Sequence, residues 1–238
     1  MPDTLLKNKK IAAVILAAGS GLRMGKSIPK QFLKVNGKAV FLHTLRHFLD
    51  CNFFGEILIV VNRDWINRAR KMTVEFSKDR RIKFVIGGKN RKDSVYSALI
   101  FLKDRGVDYV LFHDAVRPFI NKNLIAATVA DGIKYGAAIA GIEGTDLVAE
   151  LERGKMNRIL DSRSVFFTQT PECYKFDLIL KIHEMSHKNK NLRRATNLEL
   201  MLAFNKFVKL VKYNERNLKL TYSSDLRLAS SLLGNYNK

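Results

Sequence analysis

The chain has 238 residues, 47% of them hydrophobic and 27% charged, the usage of a globular protein with a sizeable core and not of a disordered one. Its 42 Lys and Arg against 22 Asp and Glu leave a formal charge of +20, which favours anionic partners such as phosphorylated metabolites, nucleic acid or anionic lipid. The two cysteines, Cys51 and Cys173, are too few and too far apart for a zinc ribbon, a redox CxxC pair or a disulfide framework.

The longest apolar run, Ile11–Ala18, reads as a buried strand ending at Gly19 and is far short of the ~20 residues of a membrane helix. The stretch before it lacks the pattern of a secretory signal, so a cytoplasmic protein with no membrane partner is expected. Residues 56–61, 82–86 and 107–112 have the same continuous apolar character. Between them the spacing predicts helices: Phe41, Leu45, Phe48 and Leu49 share a stripe, as do Trp65, Ile66, Ala69 and Met72, and Val95, Ala98, Leu99 and Leu102. Beyond Gly141, residues 143–165 are rich in charged and small residues and read as an excursion, a β-arm, within one domain spanning 1–238. Helical pattern returns at 176–185 and 198–204. Strand-like pieces follow at 207–213 and 218–221, then a last helix over 223–233 with Ser223 as N-cap. This alternation predicts an α/β, Rossmann-like, mostly parallel sheet with helices on both faces and a protruding β-arm.

The sharpest local signal is the loop after the first strand, Gly19-Ser20-Gly21-Leu22-Arg23-Met24-Gly25-Lys26-Ser27, followed by Pro29-Lys30-Gln31. It misses the dinucleotide fingerprint at Met24 and the P-loop at Ser20, each by one residue. A third reading is a loop whose glycines allow close backbone approach, whose amides form an anion nest, and whose Arg23 and Lys30 supply positive charge to a reacting phosphate. Nucleic-acid recognition finds no finger, aromatic box or heptad to support it. A P-loop kinase and a basic nucleic-acid-binding module are the rivals from other classes. The kinase would release ADP, and the module would bind with steep salt dependence and be indifferent to Arg23→Ala.

The stretch Leu16–Gly25 with Pro29–Phe32 resembles the nucleotide loop of the 2-C-methyl-D-erythritol 4-phosphate cytidylyltransferases and of their relatives that make CDP-ribitol. Four further stretches resemble that family in the same order: Gly87–Val95, His113–Phe119, Thr170-Pro171, and Asn217–Thr221 with Asp225-Leu226. The resemblance implies that CTP and a small polyol phosphate are joined with release of pyrophosphate. The leading acceptor is 2-C-methyl-D-erythritol 4-phosphate, for isoprenoid precursors; the runner-up is ribitol 5-phosphate or a related phosphate for surface polysaccharide. It also implies Mg2+ or another divalent cation, with ligands left open, and no nucleic-acid partner.

The resemblance assigns Arg23, Lys30, Lys219 and Arg163 to catalysis. Leu16, Ala17, Ala18, Gly19, Ser20, Gly21, Gly87, Gly88 and Ser94 would bind the nucleotide, and Asp114, Arg117, Thr145 and Asn197 the acceptor. It implies a homodimer in which 143–165 is the dimerisation arm, with Arg163 and Thr145 acting on the neighbour's site. His113 reads as packed, and Asp225 as either a second metal ligand or a first-turn acid of the last helix. The acceptor side departs from the family pattern. The family arginine falls at Ser162, with Arg163 next door; a one-residue slip on a strand turns a side chain to the other face unless a bulge restores it. Asn197 stands where a carboxylate is expected, and Glu172 where a glutamine is.

Overall fold

The computed structural model describes residue 6 and residues 8–19, 28–213 and 217–236, with side chains through 233. Five strands follow the predicted rhythm or extend it: β1 (Ile11–Ala17), the short ribbon β2 (Lys34–Val35) and β3 (Lys38–Ala39), β4 (Phe54–Val61) and β5 (Ile82–Ile86). Helices α1 (Val40–Leu49), α2 (Ile66–Met72) and α3 (Arg91–Leu102) lie between and after them. The chain continues through β6 (Tyr109–Asp114), α4 (Lys122–Tyr135), β7 (Ala137–Glu143), β8 (Val148–Glu152), β9 (Lys155–Leu160) and β10 (Phe166–Lys175). It ends with α5 (Phe176–Ser186), α6 (Asn197–Ala203), β11 (Lys209–Lys212) and α7 (Ser223–Tyr236).

Seven strands form the main sheet in the order β11-β7-β10-β6-β1-β4-β5, and only β10 runs antiparallel to its neighbours. The mostly parallel α/β sheet expected from the alternation is therefore present. Because side chains alternate across a strand, β1 feeds two cores. Ile11, Ala13, Ile15 and Ala17 pack with α1, α2 and α4, while Ala12 and Val14 pack with α3, α5 and α6. A fully buried Ile such as Ile15 contributes roughly 2–5 kcal/mol relative to Ala. No helix among the described residues is long and apolar enough to cross a membrane.

Several expectations need correction. Helix α4 and strands β7 and β10 were not anticipated as elements. Thr170-Pro171 lies within β10, where the pairing with β7 skips from Gln169 to Glu172, a bulge suited to a proline with no N–H to give. Residues 218–221 form no strand; Leu220 N makes one backbone bond, to Val116 O at 2.9 Å. Ser223 is the first residue of α7 and not its cap, and the Asp225 carboxylate accepts from the N–H groups of Thr221 (2.7 Å) and Tyr222 (2.9 Å), the role of a first-turn acid. Residues 162–164 form a 3₁₀ turn, so the alternation argument about Ser162 and Arg163 does not apply there.

The β8–β9 ribbon is the expected arm. Its turn, Arg153-Gly154, has φ of +50° and +81°, the left-handed pair of a tight hairpin. Leu151, Met156 and Ile159 on the ribbon are exposed, apolar side chains that the other described residues leave uncovered.

Candidate active site

The loops at the carboxyl ends of β1, β4, β5 and β6 enclose a cavity of about 400 Å³. The sheet register brings Leu16 beside Asp114, and Ala115 N donates to Leu16 O, so the ends of β1 and β6 share one wall. Gln31 holds the start of the glycine loop: its side-chain amide donates to Ala17 O at 2.6 Å and to Gly19 O at 2.8 Å. On the facing side, Asn90 caps α3 by accepting from Asp93 N, which aims the positive end of a 12-residue helix at the cavity. Ser94 Oγ donates to Asn90 O and accepts from Gly88 N, fixing the 87–94 loop. A Cβ at Gly87 would stand 2.6 Å from Ala18 Cβ and 2.9 Å from Ser94 Oγ. That glycine lets one loop pack against the other.

Charge concentrates at Asp114. Lys219 Nζ lies 2.7 Å from its Oδ2, with Arg117 Nε at 3.7 Å on the same oxygen and Arg91 Nε 3.7 Å from Oδ1. Burial pushes the Asp114 carboxyl up, but Arg91, Lys219 and Arg117 outweigh it and hold the group well below the usual carboxylate range. Arg117 is buried too; its Nη1 donates to Asn217 O at 2.7 Å, and Asn217 in turn donates to Thr170 O at 2.6 Å. Thr170 Oγ1 accepts from Asp114 N. Arg91 Nη2 donates to Glu172 Oε1 at 2.8 Å. Three cations against the carboxylates of Asp114 and Glu172 leave this group one positive charge in excess, suited to an anion. A second cavity, of about 750 Å³, adjoins through Lys219 and is lined also by Arg117, Thr145, Gln169 and Asn217.

The sequence profile of the 2-C-methyl-D-erythritol 4-phosphate cytidylyltransferase family (IspD) matches residues 11–235. The chain belongs to that cytidylyltransferase family. It is 34% identical over 221 residues to the 2-C-methyl-D-erythritol 4-phosphate cytidylyltransferase of Thermosipho africanus, covering 92% of this chain and 96% of the relative. The solved structure of 4-diphosphocytidyl-2C-methyl-D-erythritol synthase from Anaerococcus prevotii superimposes with a TM-score of 0.86 at 27% identity, covering 97% of this chain and 99% of that one. The Thermus thermophilus cytidylyltransferase structure gives 0.74 at 26%, covering 94% and 98%.

In this cytidylyltransferase fold Leu16, Ala18, Gly19, Lys30, Gly88, Ser94, Asp114 and Lys219 all line the first cavity. Ala17 and Gly87 are not among its lining residues. Arg23, Ser20 and Gly21 lie outside the described residues. Arg117 and Thr145 line the adjoining cavity. Thr145 thus lines a cavity that Lys219 of its own chain also lines, and Gly144 N donates to Val165 O at the base of the arm. Asn197 is buried and lines neither cavity: it donates to Glu172 Oε1 at 3.0 Å, and its Oδ1 meets His183 Nε2 at 2.9 Å. Arg163 is exposed, 2.8 Å from Asp161, and lines neither cavity. His113 is packed as expected, with Nε2 on Arg117 O and burial lowering its pKa to about 4. Arg91, Gln31 and Asn217 lie inside the family-like stretches without an assigned role: Arg91 and Asn217 tie their stretches to others, and Gln31 ties the two parts of the first stretch together.

Proposed function

We propose that this chain joins CTP to 2-C-methyl-D-erythritol 4-phosphate, giving the CDP-alcohol and pyrophosphate. The observation that carries the reading is the convergence of residues from four distant family-like stretches, Leu16–Gly19, Gly88–Ser94, Asp114 and Lys219, on one cavity. In this reading the loop of Ala18 and Gly19, with Gly88 and Ser94, cradles the nucleotide. Lys30, with Arg23 joining it, neutralises the α-phosphate as charge builds there. An acceptor phosphate oxygen attacks the α-phosphorus, the bond to the β-phosphate oxygen breaks, and that electron pair leaves on pyrophosphate. Lys219 draws the acceptor phosphate against the repulsion of the triphosphate, and Asp114 accepts hydrogen bonds from the acceptor's hydroxyls.

A divalent cation expected from the resemblance finds no protein cage among the described residues. No three His, Cys, Asp or Glu side chains there could converge on a metal, the three cations beside Asp114 repel a further one, and Asp225 caps α7. A cation entering with CTP would be held by the triphosphate's own oxygens.

The exposed apolar face of the arm supports a homodimer, because a lone two-stranded ribbon is marginal in water. In that assembly Arg163 would reach the partner's acceptor cavity. Mixed dimers of Lys219→Ala and Arg163→Ala protomers regain activity if the arm acts across chains. Both substrates are small anions, and a cytoplasmic location accords with them. Pyrophosphate release from CTP with a panel of polyol phosphates, ribitol 5-phosphate included, tests the whole reading. Selective turnover of 2-C-methyl-D-erythritol 4-phosphate is the expected result, and no release with any acceptor overturns it.

A further inference from the structure

Glu172 is buried and lines neither of these two cavities, yet its carboxylate takes three donors. Oε1 accepts from Arg91 Nη2 at 2.8 Å and from Asn197 Nδ2 at 3.0 Å, and Oε2 accepts from the Tyr174 hydroxyl at 2.9 Å. Asn197 is itself oriented by His183, so it can present only its NH2 to Glu172. Arg91, held at one nitrogen by Glu172, shows Nε to Asp114 Oδ1 at 3.7 Å, longer than a direct hydrogen bond. Asp114 Oδ1 is thus left with room for another donor while its charge stays compensated.

We propose that Glu172 is a positioning residue for the acceptor site, acting through Arg91: it restrains the guanidinium so that Asp114 keeps one oxygen for a polyol hydroxyl. The inference rests on the proposed reaction. Without the Glu172 anchor, Arg91 closes on Asp114 as a two-pronged pair, the geometry guanidinium and carboxylate favour, and competes with the acceptor's hydroxyl. The buried negative charge is what matters, and it sits at a contact between residues 172 and 197. Asn197→Asp alone places two carboxylates 3.0 Å apart, whereas exchanging the two side-chain types keeps one carboxylate and one amide at the contact.

The test compares Glu172→Gln, the Glu172→Gln/Asn197→Asp double variant and Arg91→Lys with the unaltered chain, measuring KM for each substrate, kcat and Tm. Glu172→Gln is expected to raise the acceptor KM about tenfold, the scale of one charge-assisted hydrogen bond, with the CTP KM changed less than about twofold. The double variant returns the acceptor KM to within about threefold. An unchanged acceptor KM in Glu172→Gln, or equal changes in both KM values beside a fallen Tm, overturns the proposal. Should Glu172→Gln not fold, Arg91→Lys decides: an ammonium cannot span both carboxylates, so the acceptor KM rises, and an unchanged value overturns the proposal. The 15N shift of Arg91 Nε is read without turnover. It moves in Glu172→Gln and returns in the double variant even if the unaltered chain releases no pyrophosphate, which would sink the functional reading alone; a shift that stays put sinks the positioning role.

Discussion

The Lys219 ammonium sits 2.7 Å from the Asp114 carboxylate at the wall shared by the two cavities. In the proposed reaction the acceptor phosphate draws this lysine off its carboxylate, and the acceptor's hydroxyls hydrogen-bond to the carboxylate it leaves. Lys219→Ala is expected to lower kcat/KM for the acceptor by about 10²–10³-fold, as removal of a group that stabilises reacting charge does. Steady-state kinetics with CTP saturating checks it, and a rate within a few-fold of the unaltered chain would remove Lys219 from the reaction.

Stability should fall on acidification in two stages. Burial holds His113 and His183 neutral, with pKa values of about 4 against an ordinary value of ~6.5. A depressed folded pKa contributes stability that is whole above the unfolded value and lost as pH falls through the folded one, so this part declines from about pH 6.5 to about 4. Asp114 has the same sign, but its contribution is whole above an ordinary carboxyl value near ~4 and is lost only below it. Unfolding midpoints measured against pH should show both declines. His183→Gln should flatten the first, and a slope as steep as before would exclude His183 as a source.

Two glycines of the cavity separate packing from ligand approach. Gly87→Ala must push against Ala18 and Ser94 and should cost roughly 1–3 kcal/mol, seen as a lowered Tm. Gly19→Ala meets nothing within 4 Å among the described residues and should leave Tm near its starting value while raising the CTP KM. Equal Tm losses in the two variants would contradict this division.

Gln31→Ala strips the donors from two carbonyls, Ala17 O and Gly19 O. A loss of about 1–3 kcal/mol per buried orphan is the expected scale. Faster amide exchange at residues 17–19 would locate the damage at the entrance to the glycine loop; protection unchanged there would deny Gln31 that role.

The sequence made legible those parts whose cause is local. Continuous apolar runs gave β1, β4 and β5, and a 3.6-residue stripe gave α1. Strand β7, Ala137–Glu143, is built of Ala, Gly and Ile and lacks the bulk that marks a buried strand. Helix α4 hides its buried stripe behind Thr128 and Gly132, the latter needed because a Cβ there would lie 2.6 Å from Cys173 Sγ. The Thr196-x-x-Glu199 capping box of α6 was readable in the sequence, and it accounts for Asn197 being at the first turn of a helix. Contacts such as Arg91 with Glu172, or Arg117 with Asn217, join stretches far apart in the chain, and no spacing within either stretch encodes them.

Strand β10 is unbroken from Phe166, paired with Glu143 at the foot of the ribbon, through Thr170, which steadies the Asp114 backbone, to Glu172 and the buried Tyr174. One length of backbone therefore serves the hairpin, the charge cluster and the interior together. The foot of the hairpin and the charge cluster are thus only a few peptide units apart along a single strand.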